Sequence, residues 1–257
     1  MPVETDPEQE QEELTGQMSF LDHLEELRKR IIHSLIGIGV AFGACWFFRD
    51  FLYALVSRPI AKAGVTSLVF TTLTEGFNLQ LKIAVIAAVF LSAPFILGQV
   101  WLFISPGLYK HERRYALPFI LSSSVLFILG GLFAYFVAFP FAAQFLVSWE
   151  KDMGGTVLIT ASDYFDLFLT VELALAVIFE IPAVIFILSR IGLVSGPFLL
   201  RNTRYAILIS AIVAAVITPT TDIPNMMIVM VPMVGLYLMG VGVAYVFGKK
   251  RHKEPGD

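Results

Sequence analysis

Only one cysteine, Cys45, occurs among the 257 residues, and it lies inside an apolar run. It can build neither a disulfide framework nor a cysteine-based metal site. Charge is scarce too: Asp, Glu, Lys and Arg make up 15% of the chain, against 57% hydrophobic residues. A soluble domain of this size needs more charge to cover its surface, so the composition points to an integral membrane protein. H-E-x-x-H, G-x-S-x-G, G-x-x-x-x-G-K-[ST] and metal-ligand clusters are all missing. The four histidines, His23, His33, His111 and His252, are scattered. These absences argue against an enzyme, a bound metal or a cofactor, and leave binding or transport. Internal repeats are also lacking.

What the chain does have is a succession of apolar runs. Residues 1–18 are acidic and polar, the wrong composition for the basic start of a cleaved signal peptide, and are expected to form a disordered tail. Residues 19–247 then read as one polytopic membrane domain. Its first part, Ser19–Arg30, has the capping residue, early acids, late bases and apolar stripe of a helix lying in the interface. Six spans are expected near 31–48, 77–103, 115–139, 165–189, 205–221 and 225–247. Pro94 should kink the second, Pro140 should end the third, and residues 248–257 form a basic tail.

Six spans require both termini on one side. Independently, 13 of the 18 Lys and Arg residues lie in the N-terminal region, the 100–114 turn, the 190–204 turn and the C-terminal tail. The positive-inside rule therefore places those segments in the cytoplasm.

Four acids stand out. Glu26 sits among Arg28, Lys29 and Arg30, with a helical pairing to Arg30 as its simplest reading. Glu112 sits among Lys110, His111, Arg113 and Arg114, after the aromatics of Val100–Phe103. Two carboxylates on one surface could clamp a guanidinium pair, because arginine offers a planar fork that a carboxylate accepts bidentately. Glu180 falls near the centre of the fourth span, where a charge costs about 3 kcal/mol. Glu172, nearer the outer end of that span, reads as reaching water. Lys82 reads as snorkelling to the interface.

Five stretches carry a resemblance: FLDHLEELRKR at 20–30, SAPFILGQVWLFISPGLYKHERR at 92–114, FAYFVAFP at 133–140, FEIP at 179–182 and the TP…D turn at 218–222. Together they closely resemble TatC, the six-span core subunit and signal-peptide receptor of the twin-arginine protein translocase. The resemblance implies an all-α membrane fold with six helices in a concave, glove-like arrangement. It implies a multi-pass protein of the bacterial cytoplasmic (inner) membrane, both termini cytoplasmic, serving export of folded proteins driven by the proton-motive force. Glu26 and Glu112 match the acids that recognise the twin arginines; Arg28, Phe103, Leu108, Lys110 and His111 match their surroundings. Glu180 matches an intramembrane polar site. Short fifth and sixth spans match those that dock the single-span TatA and TatB partners, and Pro59, Pro94, Tyr135 and Asp222 match positions that set shape. Implied partners are TatA and/or TatB, Arg-Arg signal peptides, membrane lipid and further copies in a TatBC-type complex, with no nucleic acid. Two positions depart from the pattern: Glu172 stands where an apolar residue is usual, and Met226 where a polar partner-binding residue can occur. The competing reading is a proton- or ion-coupled small-solute permease that uses Glu180.

Overall fold

The structure, a computed structural model, describes residues 7–62, 68–104, 116–152, 159–218 and 222–248. The long helices are α1 (Pro7–Phe47), α4 (Glu75–Ile104), α5 (Ala116–Phe133), α7 (Ala161–Ile178) and α11 (Ile223–Phe247). Between and beside them come α2 (Arg49–Val56), α3 (Arg58–Lys62), α6 (Phe139–Asp152), α8 (Ile181–Arg190), α9 (Gly196–Arg201) and α10 (Thr203–Ile217). Among the described residues the only extended pairing is an isolated parallel bridge between Val69 and Thr160. Five rods are long and apolar enough to cross a bilayer: Leu21–Phe47, Glu75–Ile104, Ala116–Trp149, Ala161–Arg190 and Ile223–Phe247. With the shorter α10 they give the six spans.

The boundaries differ from expectation where local rules were overridden. α1 is one helix of 41 residues, so the expected interfacial helix and first span are continuous. Nothing between Arg28 and Ser34 breaks a helix; the change there is in polarity, which alters the solvent and leaves the backbone alone. The helical backbone also reaches back through residues 7–18, where a disordered tail is expected. That stretch is rich in Glu and Gln, good helix formers, and starts on Pro7.

Pro140 does not end the third span. Residues Ala134–Ala138 form a π-helical turn, and the rod resumes as α6. The wider turn just before Pro140 gives its ring room away from the carbonyl four residues earlier. The Ala116–Trp149 rod of 34 residues is roughly 50 Å long, so one end stands clear of a ~30 Å hydrocarbon layer. The fourth span does break. Phe179 and Glu180 form a turn, with the Glu180 amide donating to Val177 O, and Pro182 lies in the first turn of α8. The fifth span is short, 15 residues or about 22 Å. The sixth is not: α11 holds 25 residues, and Pro232 inside it does not interrupt the apolar run.

Small residues let the rods approach. Ala41 and Cys45 of α1 pack on Ala84 and Ala88 of α4. Val171 and Leu175 of α7 meet Ala214 of α10 and Val229 and Met233 of α11. At the end where α4 and α7 start, α2, α3 and α6 form a cap over Phe139, Phe165 and Phe168. Two tyrosines tie this cap down. The Tyr135 hydroxyl donates to Leu55 O (2.9 Å) and the Tyr164 hydroxyl to Val56 O (2.8 Å), satisfying the last carbonyls of α2. Pro59 is buried in the first turn of α3. The Glu75 carboxylate accepts from the amides of Thr71, Thr72 and Ser162 and from the hydroxyls of Thr71 and Ser162. It thereby joins the starts of α4 and α7.

The α5–α7 contact is the tightest test of this packing. A Cβ on Gly130 would lie 2.7 Å from Leu175 O and 2.8 Å from Ala176 Cα, both backbone atoms. Gly130→Ala should therefore cost about 1–3 kcal/mol. Gly39→Ala, with nothing within 4 Å, should be neutral or slightly stabilising. Thermal unfolding of both variants in detergent checks the pair.

Candidate functional site

The first candidate lies where α1 passes the far end of α4. The His23 ring stacks on Phe103 at 4.5 Å between centroids. One turn further along α1, Glu26 Oε1 accepts from Arg30 Nε (2.8 Å), and Arg30 Nη2 lies 2.6 Å from the same oxygen. The third guanidinium nitrogen, Nη1, donates to Gln99 Oε1 of α4 at 3.3 Å. Gln99 is only 8% exposed, so the guanidinium links a surface acid to a buried amide. The side chains of Glu26 and Arg30 remain 31% and 21% exposed. Both donors converge on Oε1, and Glu26 Oε2 has no partner among the described residues. Arg28 and Lys29 are exposed.

Glu112, Leu108, Lys110 and His111 lie outside the described residues. The connection that carries them leaves α4 at Ile104, one residue after Phe103, and rejoins the fold at Ala116. Both anchor points pack into one cluster with Trp101, Phe119, Ala183 and Phe186, so α8 stands beside them. The pairing of Glu26 with Arg30 is as the sequence suggests. His23 and Gln99 were missed as parts of this cluster; an amide in the otherwise apolar stretch Phe95–Ile104 was the available signal.

A second feature is an open groove of about 980 Å³ between α4 and α7, reaching Ile217 of α10. Its walls are apolar, including Leu81, Val85, Leu173 and Val177. One ion pair interrupts them: Lys82 Nζ lies 2.6 and 2.9 Å from the carboxylate oxygens of Asp166. Lys82 thus reaches across to α7 instead of serving only as an interfacial anchor.

The two intramembrane acids face α5. Glu180 lies half-buried at the α7–α8 break beside Ser123, and its Oε1 is buried without a hydrogen-bond partner among the described residues. Glu172, expected to reach water, instead has Oε2 buried and without a hydrogen-bond partner among the described residues. Its Oε1 lies 3.2 Å from where a Cβ on Gly131 would sit. The reason is rotational: Asp166, Thr170, Leu173 and Val177 take the groove side of α7, which leaves Glu172 on the α5 side, where Gly131 supplies room.

The remaining positions shape the fold. Asp222 caps α11, accepting from the Asn225 amide (2.9 Å) and its side-chain nitrogen (3.0 Å). Pro94 lies outward within α4, and Met226 packs into the α7–α10–α11 cluster. Among the described residues no three His, Cys, Asp or Glu side chains converge as a metal site.

The family model for the Sec-independent protein translocase protein (TatC) matches residues 22–232. The Sec-independent protein translocase protein TatC of Koribacter versatilis is 47% identical over 249 residues, 95% of this chain and 91% of that protein. The Helicobacter pylori strain 26695 protein of the same name is 36% identical over 235 residues, 91% of this chain and 89% of its own. The chloroplastic protein of Pisum sativum is 35% identical over 237 residues, 91% of this chain and 65% of its own. A crystal structure of the twin arginine translocase receptor TatC superposes with a TM-score of 0.74 at 31% identity, covering 86% of this chain and 97% of that one. A second, in DDM, gives 0.76 at the same identity, covering 86% and 99%.

The groove's ion pair is open to a double-mutant cycle. Both partners are about half exposed, so the coupling between Lys82→Gln and Asp166→Asn should stay below about 1 kcal/mol. Unfolding free energies of the two single variants and the double variant measure it.

Proposed function

The chain belongs to the TatC family and is a core, receptor subunit of the Sec-independent twin-arginine translocase; on that premise we propose how it receives its cargo. Glu26 and Glu112 recognise the paired arginines of signal peptides on folded proteins. The observation that carries this reading is the Glu26 cluster: a carboxylate held at the α1–α4 junction, near the His23–Phe103 stack, with one oxygen lacking a hydrogen-bond partner among the described residues. Arg28, Leu108, Lys110 and His111 complete the surrounding surface. Bases around the acids raise the cost of admitting a cation that cannot form the two parallel hydrogen bonds of a guanidinium.

The excess of Lys and Arg in this end's connections supports a cytoplasmic location for the site and for both termini, in a bacterial inner membrane. The apolar groove suits a single transmembrane helix, and Glu180 lies deep enough to meet a polar group on a signal peptide or partner span. The short α10 and the adjoining α11 receive TatA or TatB, and several copies of the chain assemble around them for export of folded cargo.

Binding of labelled signal peptides to the purified protein tests the central claim. An Arg-Arg peptide should bind at least about tenfold tighter than its Lys-Lys counterpart, because charge is equal and only fork geometry differs. Glu112→Ala should abolish the preference while the protein stays folded, and Glu180→Ala should leave surface binding largely intact. Equal binding of the two peptides would overturn arginine-specific recognition.

A further inference from the structure

We propose that Arg30 is a built-in competitor for the Glu26 carboxylate, and that Gln99 is the acceptor that retains it when a ligand's guanidinium takes its place. This rests on the reading of Glu26 as an arginine-recognising acid and adds how its affinity is set.

The geometry is that of a site holding its own surrogate ligand. Arg30 donates from Nε to Glu26 Oε1 and holds Nη2 2.6 Å from the same oxygen, the same chemistry that an incoming arginine would offer. A bidentate fork on a carboxylate spreads over both oxygens; here both nitrogens approach Oε1, and Oε2 has no hydrogen-bond partner among the described residues. A second guanidinium can therefore begin to bind at Oε2 before the first has left. Arg30 need not then become an unpaired cation. Its Nη1 already donates to Gln99 Oε1, and that amide is fixed in the packed α1–α4 contact. Withdrawal toward Gln99 keeps the guanidinium hydrogen-bonded, at a modest cost. The contacts from Arg30 to Glu26 are part-exposed, the class of ion pair that holds only weakly. An internal competitor of that strength lowers affinity a few-fold and leaves the site able to open.

A competitor and a purely structural brace make opposite predictions. If Arg30 competes, Arg30→Gln should tighten binding of an Arg-Arg signal peptide by about two- to fivefold. It should also narrow the preference for Arg-Arg over Lys-Lys, since lysine no longer has to displace a fork. Arg30→Lys keeps the charge with a weaker hold on the carboxylate, so it should tighten binding less. Gln99→Leu removes the fallback acceptor and should weaken binding about two- to fivefold in the Arg30 background, with no effect in the Arg30→Gln background. That dependence on Arg30 is what a packing role for Gln99 would not produce.

The measurement is equilibrium peptide binding to the full-length protein in nanodiscs, each variant first shown monodisperse by gel filtration. Weaker binding in both folded Arg30 variants overturns the proposal and makes Arg30 a brace. A Gln99→Leu effect that persists without Arg30 overturns the exchange. If Glu26→Gln leaves Arg-Arg binding to the wild-type background unchanged, the assignment of Glu26 itself fails, and the competitor with it.

Discussion

A backbone amide or carbonyl in hydrocarbon has no water to turn to, and this chain is arranged around that constraint. It explains why the described residues are almost entirely helical, and it explains what happens at each proline. Pro94 and Pro232 sit inside continuous helices, where one missing hydrogen bond is tolerated. Pro140 is preceded by a π turn, and Pro182 by a full break with the helix restarted at Ile181. Each device keeps the loss of backbone pairing local. The same demand extends to the cap, where Tyr135 and Tyr164 reach from the long rods to carbonyls at the end of α2.

Once the backbone is satisfied, the costly choices left are the polar side chains. Glu75 is buried but surrounded by donors, and its role is to join two helix starts. Lys82 and Asp166 are placed opposite each other, so each neutralises the other on an otherwise apolar wall. Glu172 and Glu180 have no charged partner among the described residues, and both lie on the α5 seam. An ionised carboxylate there lacks compensation, and removing its oxygens from water carries the full desolvation penalty. Acids left in this condition in a membrane are the ones through which a passing helix or proton can act.

How much of this could be read from residues alone depends on whether the deciding interaction was local. The second and sixth spans begin and end within two residues of their expected limits, because uniform apolar runs flanked by charge mark them. The continuity of α1 was not legible, since its sequence changes polarity at Ile31 without any change in what the backbone can do. The passage of the third rod through Pro140 depends on a π turn, a compensation with no residue signature of its own. The orientation of Glu172 was hidden for a different reason. α7 is apolar on nearly every side, so periodicity cannot tell which face meets α5; the open space at Gly131 decides it. At the proposed recognition surface, Glu26 and its pairing to Arg30 were visible from a four-residue spacing. The link onward to Gln99 joins residues 69 positions apart and required the fold.

That link bears on how a site built from acids avoids binding every cation near it. A bare carboxylate attracts lysine, arginine and metal ions alike through its charge. Setting it among Arg28, Lys29 and Arg30 offsets much of that attraction at a distance, because the three bases balance the charge of Asp22, Glu25 and Glu26. What survives is short-range and directional: hydrogen bonds to a carboxylate that Arg30, itself anchored on a buried amide, already engages. Only a group that can match that fork recovers the energy lost in approaching. In the proposed recognition, selectivity for guanidinium then follows from the neighbouring bases as much as from the acid, and the bases around Glu26 become part of its chemistry.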